Sequence, residues 1–520
     1  MKKLLKLLFG RMFWTCFFIL ILLISIVLLL VYLDYILETE FPIVLFVADL
    51  AVRLIVLTII VNSKSNNAYK IAWLVVVGIF GMLGSIFYIM FANKKFTKRQ
   101  IRKMLPIKKA LNRITTSKDV IDEISSTNPD ALLMSNYITE ESGSALYSHS
   151  EVQYYPLGDD AFPVMLEELK KAEHYIFLEY FIIDKNGIFW PSILDILVQK
   201  VSEGVDVRVM YDDLGSISTL PSNYYLKLRK LGIKCHPFNR FKPIVNVKLN
   251  NRDHRKIIVI DGHTGFTGGI NLADEYINKI VRFGHWKDNS IMIKGQAVYG
   301  LTMMFLSNWC GSTGEVIQNF DQYLPQMYGA DILSNIKSDG YVQPYGDIPF
   351  NYEAVGEQVY LNLIQKAKRY IYIMTPYLII DSELENSLRQ AAKSGVEVII
   401  IMPHIPDKKT IFNVTRSYYK SLMEAGVRIF EYTPGFVHAK MFVVDDIYGT
   451  VGTINMDYRS LYLHLECGTF LYRCSCLKDM KNDFLKTLDK SQEITPEFFK
   501  SVTIFRRFWW ALLRIFAPLL

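Results

Sequence analysis

Three long apolar stretches open the chain. Met12 to Leu33 is almost wholly hydrophobic, and Asp34 is the first charge after it. The stretch is long enough to cross about 30 Å of hydrocarbon. It is too long for a signal-peptide core, and no small-residue cleavage site follows. A second stretch, 42–61, carries Asp49 and Arg53 four residues apart, on one helical face where they could pair. A third, 71–91, contains Gly81 and Gly84. Residues 1–93 therefore read as a membrane anchor of two or three transmembrane segments, about 12–33, 42–61 and 71–91.

From Glu151 the pattern changes to short apolar runs of strand length alternating with segments of helical period. HYIFLEYFII predicts a strand ending near Asp184, and a helix runs through Ile193 to Val201. VDVRVMYDD is a strand, a helix extends to Leu231, and IKCHPF is a strand. The order then recurs. RYIYIMTPYLII is a strand, LENSLRQAAKSG a helix ending at Gly395, VEVIIIMP a strand, a helix runs through Tyr419 to Ala425, and VRIFEY is a strand. A period this long predicts a duplicated α/β domain with mixed or parallel sheets, and excludes a solenoid. The halves fall at 151–310 and 353–490, with a polar, Gly- and Pro-containing junction at 311–352.

Charge refines this picture. Lys2, Lys3, Lys6 and Arg11 precede the first apolar stretch, and Asp34, Glu38 and Glu40 follow it. Lys94, Lys95, Lys98, Arg99, Arg102 and Lys103 follow the third and open a basic linker, 94–150. Both basic clusters favour the cytoplasmic side. Two crossings plus one interfacial or re-entrant segment reconcile them, with the catalytic part in the cytoplasm. The 491–520 tail holds SVTIFRRFWWALLRIFAPLL, an aromatic-rich apolar run broken by Arg506, Arg507 and Arg514. It reads as an amphipathic helix at a membrane interface. The formal charge is +7. The six cysteines form no CxxC pair and no Cys/His metal spacing, which points to a reduced compartment without structural zinc.

The candidate chemistry lies in a motif present once per half. His254-Arg255-Lys256 is followed by Asp261 and by Gly268-Gly269-Ile270-Asn271. His438-Ala439-Lys440 is followed by Asp445 and by Gly452-Thr453-Ile454-Asn455. Both fit HxKxxxxD, with Asn at the same offset. In a strand, residues two apart share a face, so each His points with its Lys. Asp261 and Asp445 fall on the opposite parity, at the strand end before a Gly-containing turn, where they would brace backbone. Lys256, Lys440, Asn271 and Asn455 offer donors to phosphate oxygens. His149, His174, His236, His263, His285, His404 and His464 lack repeat partners and read as structural.

Paired HxKxxxxD motifs are the signature of the phospholipase D superfamily, which the chain resembles over roughly Glu151 to Thr487. The segments LEYFIID, RVMYDDLGS, NNRDHRK, GGINLADEY, TPYLIID and GTINMDYRS are similar to those of bacterial cardiolipin synthases. Gly269 is a departure, because many superfamily members carry Ser there. The resemblance implies a duplicated phospholipase D-like α/β fold behind transmembrane helices, and a pseudo-twofold site between the halves. One His attacks phosphorus and the other acts as acid and then base, with no metal or cofactor. It also implies an orienting acid for each His, expected as Asp288 for His254 and Glu466 for His438. On that pairing an ionised Asp288 beside Lys287 favours His254 as the nucleophile. Glu466, between Leu465 and Cys467, would suit a proton shuttle. The implied reaction joins two phosphatidylglycerols into cardiolipin and glycerol in an anionic bacterial plasma membrane, through a multi-pass protein. The alternative is a phospholipase D or phosphatidylserine synthase using another acceptor. A nucleic-acid substrate is disfavoured by the apolar segments and the lack of a basic, aromatic single-strand channel.

Overall fold

A computed structural model describes residues 41–92, 115–240, 250–349 and 353–519. The expected first membrane segment, both flanking charge clusters and most of the basic linker lie outside the described residues. Two compact units separate, one holding 41–92 and the other 115–239 with 251–518.

The first unit is a helical pair, Phe41–Val61 and Asn67–Phe91, joined by a turn that Asn66 caps through Ala68 N–H. Both helices are long and apolar enough to cross a membrane. Asp49 and Arg53 do pair. The second helix is broken at Gly81, which adopts φ 54° and ψ −126°. The freed Met82 N–H donates to Asp49 Oδ1 at 2.6 Å. A backbone group released in an apolar phase needs such a partner. Gly is required here, because a Cβ would lie 2.5 Å from Asp49 Oδ1.

The second unit is built twice on one plan. In the first half the strands are β1 (Ser150–Tyr155), β2 (Tyr175–Tyr180), β3 (Asp206–Asp212), β4 (Lys234–Phe238), β5 (Lys256–Ile260), β6 (Thr264–Gly268), β7 (His285–Lys287) and β8 (Ser290–Gly295). In the second half they are β9 (Tyr341–Asp347), β10 (Tyr370–Met374), β11 (Leu378–Ile379), β12 (Glu397–Pro403), β13 (Arg428–Tyr432), β14 (Gly435–Val437), β15 (Met441–Val444), β16 (Tyr448–Gly452), β17 (Met456–Asp457), β18 (Glu466–Tyr472) and β19 (Ser491–Glu493). The first sheet runs β1-β8-β6-β5-β2-β3-β4, and the second β9-β18-β16-β15-β10-β12-β13-β19. These are the same order with one edge strand added. β2, β3 and β4 pair in parallel, as do β10, β12 and β13. The motif strands β5 and β15 lie antiparallel beside β2 and β10, inside their sheets.

Both faces of each sheet are covered, so the strands read as continuous apolar runs. Phe177 of β2 joins a core shared by the halves, while Ile176 and Leu178 join a core drawn mostly from the first half, with Phe436 of the second. The helix Val298–Thr313 is buried from Val298 through Gly311 and fills the shared core. A helix apolar on every side belongs in such a position.

Three segments differ from the sequence expectation. RYIYIMTPYLII is two strands, because Pro376 lacks the N–H that a continuous ladder needs. The described end of the expected linker holds helices Lys118–Thr127 and Pro129–Ser142. The latter's Asn128 cap donates to Tyr448 Oη at 2.6 Å, so this segment is part of the second half. The junction likewise supplies β9, an integral strand of the second sheet.

Candidate active site

His254 and His438 end the loops that lead into β5 and β15, and both line one cavity of about 800 Å3 between the halves. Backbone pairing across the halves sets their positions. His254 N–H donates to Leu465 O at 2.9 Å, and Leu465 N–H to Arg252 O at 2.8 Å. In the matching place, His438 N–H donates to Lys287 O at 2.7 Å, and β14 pairs in parallel with β7.

This pairing exchanges the orienting acids relative to the sequence expectation. His254 Nδ1 donates to Glu466 at 2.9 and 3.0 Å, and His438 Nδ1 donates to Asp288 at 2.7 Å. Each acid follows the segment that lies against the other half's motif, so it meets the other half's histidine. Both carboxylates are fully buried. Lys287 is itself buried and pairs with Asp483 at 2.7 Å. A carboxylate on Nδ1 fixes the tautomer and leaves Nε2 free.

Burial, then the charges of Lys256 and Lys440, push His254 well below its usual range. Burial and Lys440 lower His438 to about 4, with Asp288 opposing them. Burial brings Lys256 down to about 8 and Lys440 to about 7. For Asp288, burial is outweighed by the charge and hydrogen bond of His438, by Lys440 and by Asn289 N–H, so its carboxyl is held below the usual range. Lys256 Nζ donates to His254 O at 2.5 Å, and Lys440 Nζ bonds His438 O, so each ammonium is fixed against its own motif.

Asp261 and Asp445 point away from the cavity. Asp261 accepts from the N–H groups of Glu173, His174 and Tyr175 at 2.7–2.8 Å, fastening the start of β2. Asp445 does the same for Lys368, Arg369 and Tyr370 before and into β10. Both adopt positive φ, 49° and 56°. The backbone they brace is that of the neighbouring strand, not the Gly-containing turn.

Asn271 and Asn455 line the cavity. The Asn271 amide oxygen accepts from Ile182 N–H at 3.0 Å, and its nitrogen donates to Tyr276 Oη at 2.8 Å. One amide N–H of Asn271 is therefore committed to positioning Tyr276.

Among the cavity residues that escaped the sequence reading are Arg252 and His464. Arg252 lies on the cavity wall and pairs with Asp212 at 3.3 Å. His464 also lines the cavity, its ring 5.7 Å from that of His254. The matched position is Trp286, 5.7 Å from His438, so the repeat partner of His464 is an aromatic. The spacing of two residues before each acid was the available signal. His254, His464 and Glu466 also bring three potential ligand atoms within 4.8 Å of one another.

Two Nδ1-tethered imidazoles, each with a lysine, facing one cavity from a duplicated α/β fold, define a phospholipase D-type phosphodiester centre. A family model described as cardiolipin synthase, PLD-like domain, matches residues 165–298 and 360–488, once per half. Cardiolipin synthases of Alkalihalophilus pseudofirmus and Halalkalibacterium halodurans are 35% and 34% identical. The matches cover 89% and 91% of this chain and 91% and 93% of theirs. An uncharacterized protein of Streptococcus mutans is 44% identical over 89% of this chain and 98% of its own. The crystal structure of a Haemophilus influenzae phosphatidylserine synthase shares the fold, with TM-score 0.53 and 15% identity over 71% of this chain and 93% of that one. The chain belongs to the cardiolipin synthase family of phospholipase D-like phosphatidyltransferases.

Proposed function

We propose that the protein transfers the phosphatidyl group of one phosphatidylglycerol to the terminal hydroxyl of another, forming cardiolipin and releasing glycerol, through a phosphohistidine on His254. The supporting observation is the pair of tethered imidazoles facing one cavity from matched positions.

In the first step His254 Nε2 forms a bond to phosphorus and the bond to the glycerol oxygen breaks. With the anionic phosphodiester bound beside it and Asp288 on Nδ1, His438 takes up the proton that burial and Lys440 oppose, and as imidazolium it gives that oxygen its proton. In the second, the terminal hydroxyl of the incoming lipid gives its proton to His438. Its oxygen then attacks phosphorus, and the phosphorus–nitrogen bond breaks. Lys256 and Lys440 balance the phosphodiester charge, and a bound anion holds both protonated.

The exchanged acids alter the grounds for assigning roles, and the assignment itself stays. An ionised carboxylate favours the charged form of its partner, so Asp288 suits His438 to the proton-carrying role. His254, held neutral by burial and two neighbouring ammonium groups, suits attack. The protein acts as a multi-pass protein of the bacterial plasma membrane. Its catalytic unit faces the cytoplasm, the side favoured by the lysine and arginine clusters at 2–11 and 94–103.

The test is thin-layer analysis of lipids after purified protein meets phosphatidylglycerol alone. Cardiolipin with released glycerol is expected. Phosphatidic acid as the only product would make the protein a hydrolase. Turnover only on adding serine would assign a different acceptor.

A further inference from the structure

We propose that the helix Ile504–Phe516 and the Ile280–Val281 turn seat the catalytic unit on an anionic bilayer surface, with the mouth of the histidine cavity toward the lipid. This deepens the lipid-substrate reading above and rests on it for the cavity's contents.

The helix has two distinct faces. On the inner face Trp510 is buried, and its Nε1 donates to Asn413 Oδ1 at 3.1 Å. Arg514 pairs with Glu385 and stacks 4.0 Å over the Tyr418 ring. Ile504, Phe505 and Phe508 face outward, 86, 77 and 66% exposed. Trp509 and Ile515 extend that face. Positions 504, 508 and 515 fall on one side of a helix of period 3.6. Among the described residues nothing covers this apolar stripe, because the packing is done by the opposite side.

The occupant is read from charge, length and position. Arg506 and Arg507 flank the stripe, and no acidic residue occurs from Ile504 to Leu520. Exposed Trp509 suits the headgroup layer. Thirteen residues make about 20 Å of helix, too short to span hydrocarbon and suited to lying in its surface. The same chain carries two helices long and apolar enough to cross a membrane, so the catalytic unit is tethered at one.

Position ties the surface to catalysis. The helix is bound to Lys409–Met423, whose first residues Thr410 and Ile411 line the cavity, as does Ala517 just beyond it. On the wall from the first half, Arg282 and Phe283 line the cavity. Ile280 and Val281 immediately before them are 53 and 80% exposed. Lys279, Lys408 and Lys409 are exposed on the same rim segments. Outward apolar side chains among cations thus occur beside the cavity in two separate parts of the chain. That is the chemistry of a surface that meets anionic headgroups and enters the acyl boundary.

The experiment places an environment-sensitive fluorophore in the full-length protein through Phe508→Cys, Val281→Cys or Leu133→Cys. Leu133 is an exposed reference on the helix Pro129–Ser142. The described native cysteines are buried, which directs labelling to the introduced one. Protein is reconstituted in phosphatidylcholine vesicles with and without phosphatidylserine, both carrying lipid-attached nitroxide quenchers. Labels at 508 and 281 are expected to be quenched by lipid, more strongly with the anionic lipid, and the label at 133 is not. Equal quenching at all three positions overturns the proposal. So does protection at 508 without lipid quenching but with energy transfer between labelled chains, because a second copy would then cover the face. Phe505→Ser with Phe508→Ser should raise KM for vesicle lipid about tenfold and leave kcat on a short-chain dispersed donor unchanged. An unchanged KM on vesicles overturns the catalytic part. The quenching pattern does not depend on the donor, so it stands or falls separately from the choice of phosphatidylglycerol.

Discussion

Replacing Asp288 by Asn should separate the two histidines by role. Asp288 accepts the Nδ1–H of His438 at 2.7 Å and Asn289 N–H at 2.8 Å, with its side chain fully buried. The amide keeps the volume and removes the charge. If its NH2 turns toward His438, Nδ1 becomes the acceptor and Nε2 holds the proton at rest. If its oxygen stays in place, the imidazolium has lost its counter-ion. Either arrangement should remove most of the general-acid contribution, about 10²–10⁴ in rate or roughly 3–5 kcal/mol. The assay is phosphohistidine formation in a single turnover with two donors, phosphatidylglycerol and a phosphatidyl p-nitrophenol. Nitrophenolate departs without needing a proton. Asp288→Asn should therefore lose the full factor with the natural donor and less than about tenfold with the nitrophenyl one. Glu466→Gln, which loosens His254, should be slow with both. Rescue of Glu466→Gln with none for Asp288→Asn would refute the assignment and make His438 the nucleophile. Rescue of both would refute any division of labour.

Four further outcomes follow from the same geometry. The labelled peptide from a quenched turnover should contain His254, identified by mass spectrometry, and a label confined to the His438 peptide would reverse the roles. Prolonged EDTA treatment should leave transfer unchanged despite the His254–His464–Glu466 grouping, and a loss restored by one divalent metal would show that the grouping holds it. Lys440→Met should abolish transfer and remove the rise of stability with pH that the wild type shows above about pH 7, read from Tm across pH. The sign follows from the buried ammonium. Its folded value is about 7, and the unfolded value is about 10.4. Between the two the unfolded chain binds more protons, so wild-type stability rises with pH toward about pH 10, and a mutant with the same slope would refute the buried-ammonium reading. Asp261→Asn should lower stability by about 2 kcal/mol, because three N–H groups lose a charged acceptor, with turnover retained where the chain is folded. Loss of turnover at full stability would place Asp261 in the chemistry.

Much of the fold could be read from the chain because β2 to β4 and β10 to β13 are long apolar runs that recur in one order. The HxK spacing was legible because strand parity is local. The partner of each histidine was not, since the hydrogen bonds from His254 to Leu465 O and from His438 to Lys287 O are made across the halves. Linear distance from each histidine to the next acid in its own half pointed to the wrong carboxylate. The three-residue strands β7 and β14 that enforce the crossing are too short for a period to show. His464 was set aside for lacking a repeat partner, but a site assembled from two diverged copies places functional residues where the copies differ. The helices at 118–142 sat in a polar stretch beyond a basic cluster, and their polar faces outweighed the few buried residues such as Val120, Ile124, Met134 and Ile138.

Divergence between the copies also bears on the proposed division of labour between the two histidines. At the turn after each motif strand, the first half has Gly269 and the second Thr453. A Cβ on Gly269 would fall 2.0 Å from Asp288 Oδ1, so the absent side chain is space that the shorter acid occupies. Seen in the sequence alone, Gly269 was a departure from the serine that many superfamily members carry. In the fold it leaves open the space that the Asp288 carboxylate fills, 2.7 Å from His438. In the second half Thr453 Oγ1 donates to Glu466, so that carboxylate is shared between a hydroxyl and His254. A carboxylate that spends one oxygen on a hydroxyl has less charge to lend its imidazole than one backed by a single backbone N–H. On the proposed division of labour, the Gly–Asp pair would support the imidazole that carries the proton, and the Thr–Glu pair would hold in place the one that attacks.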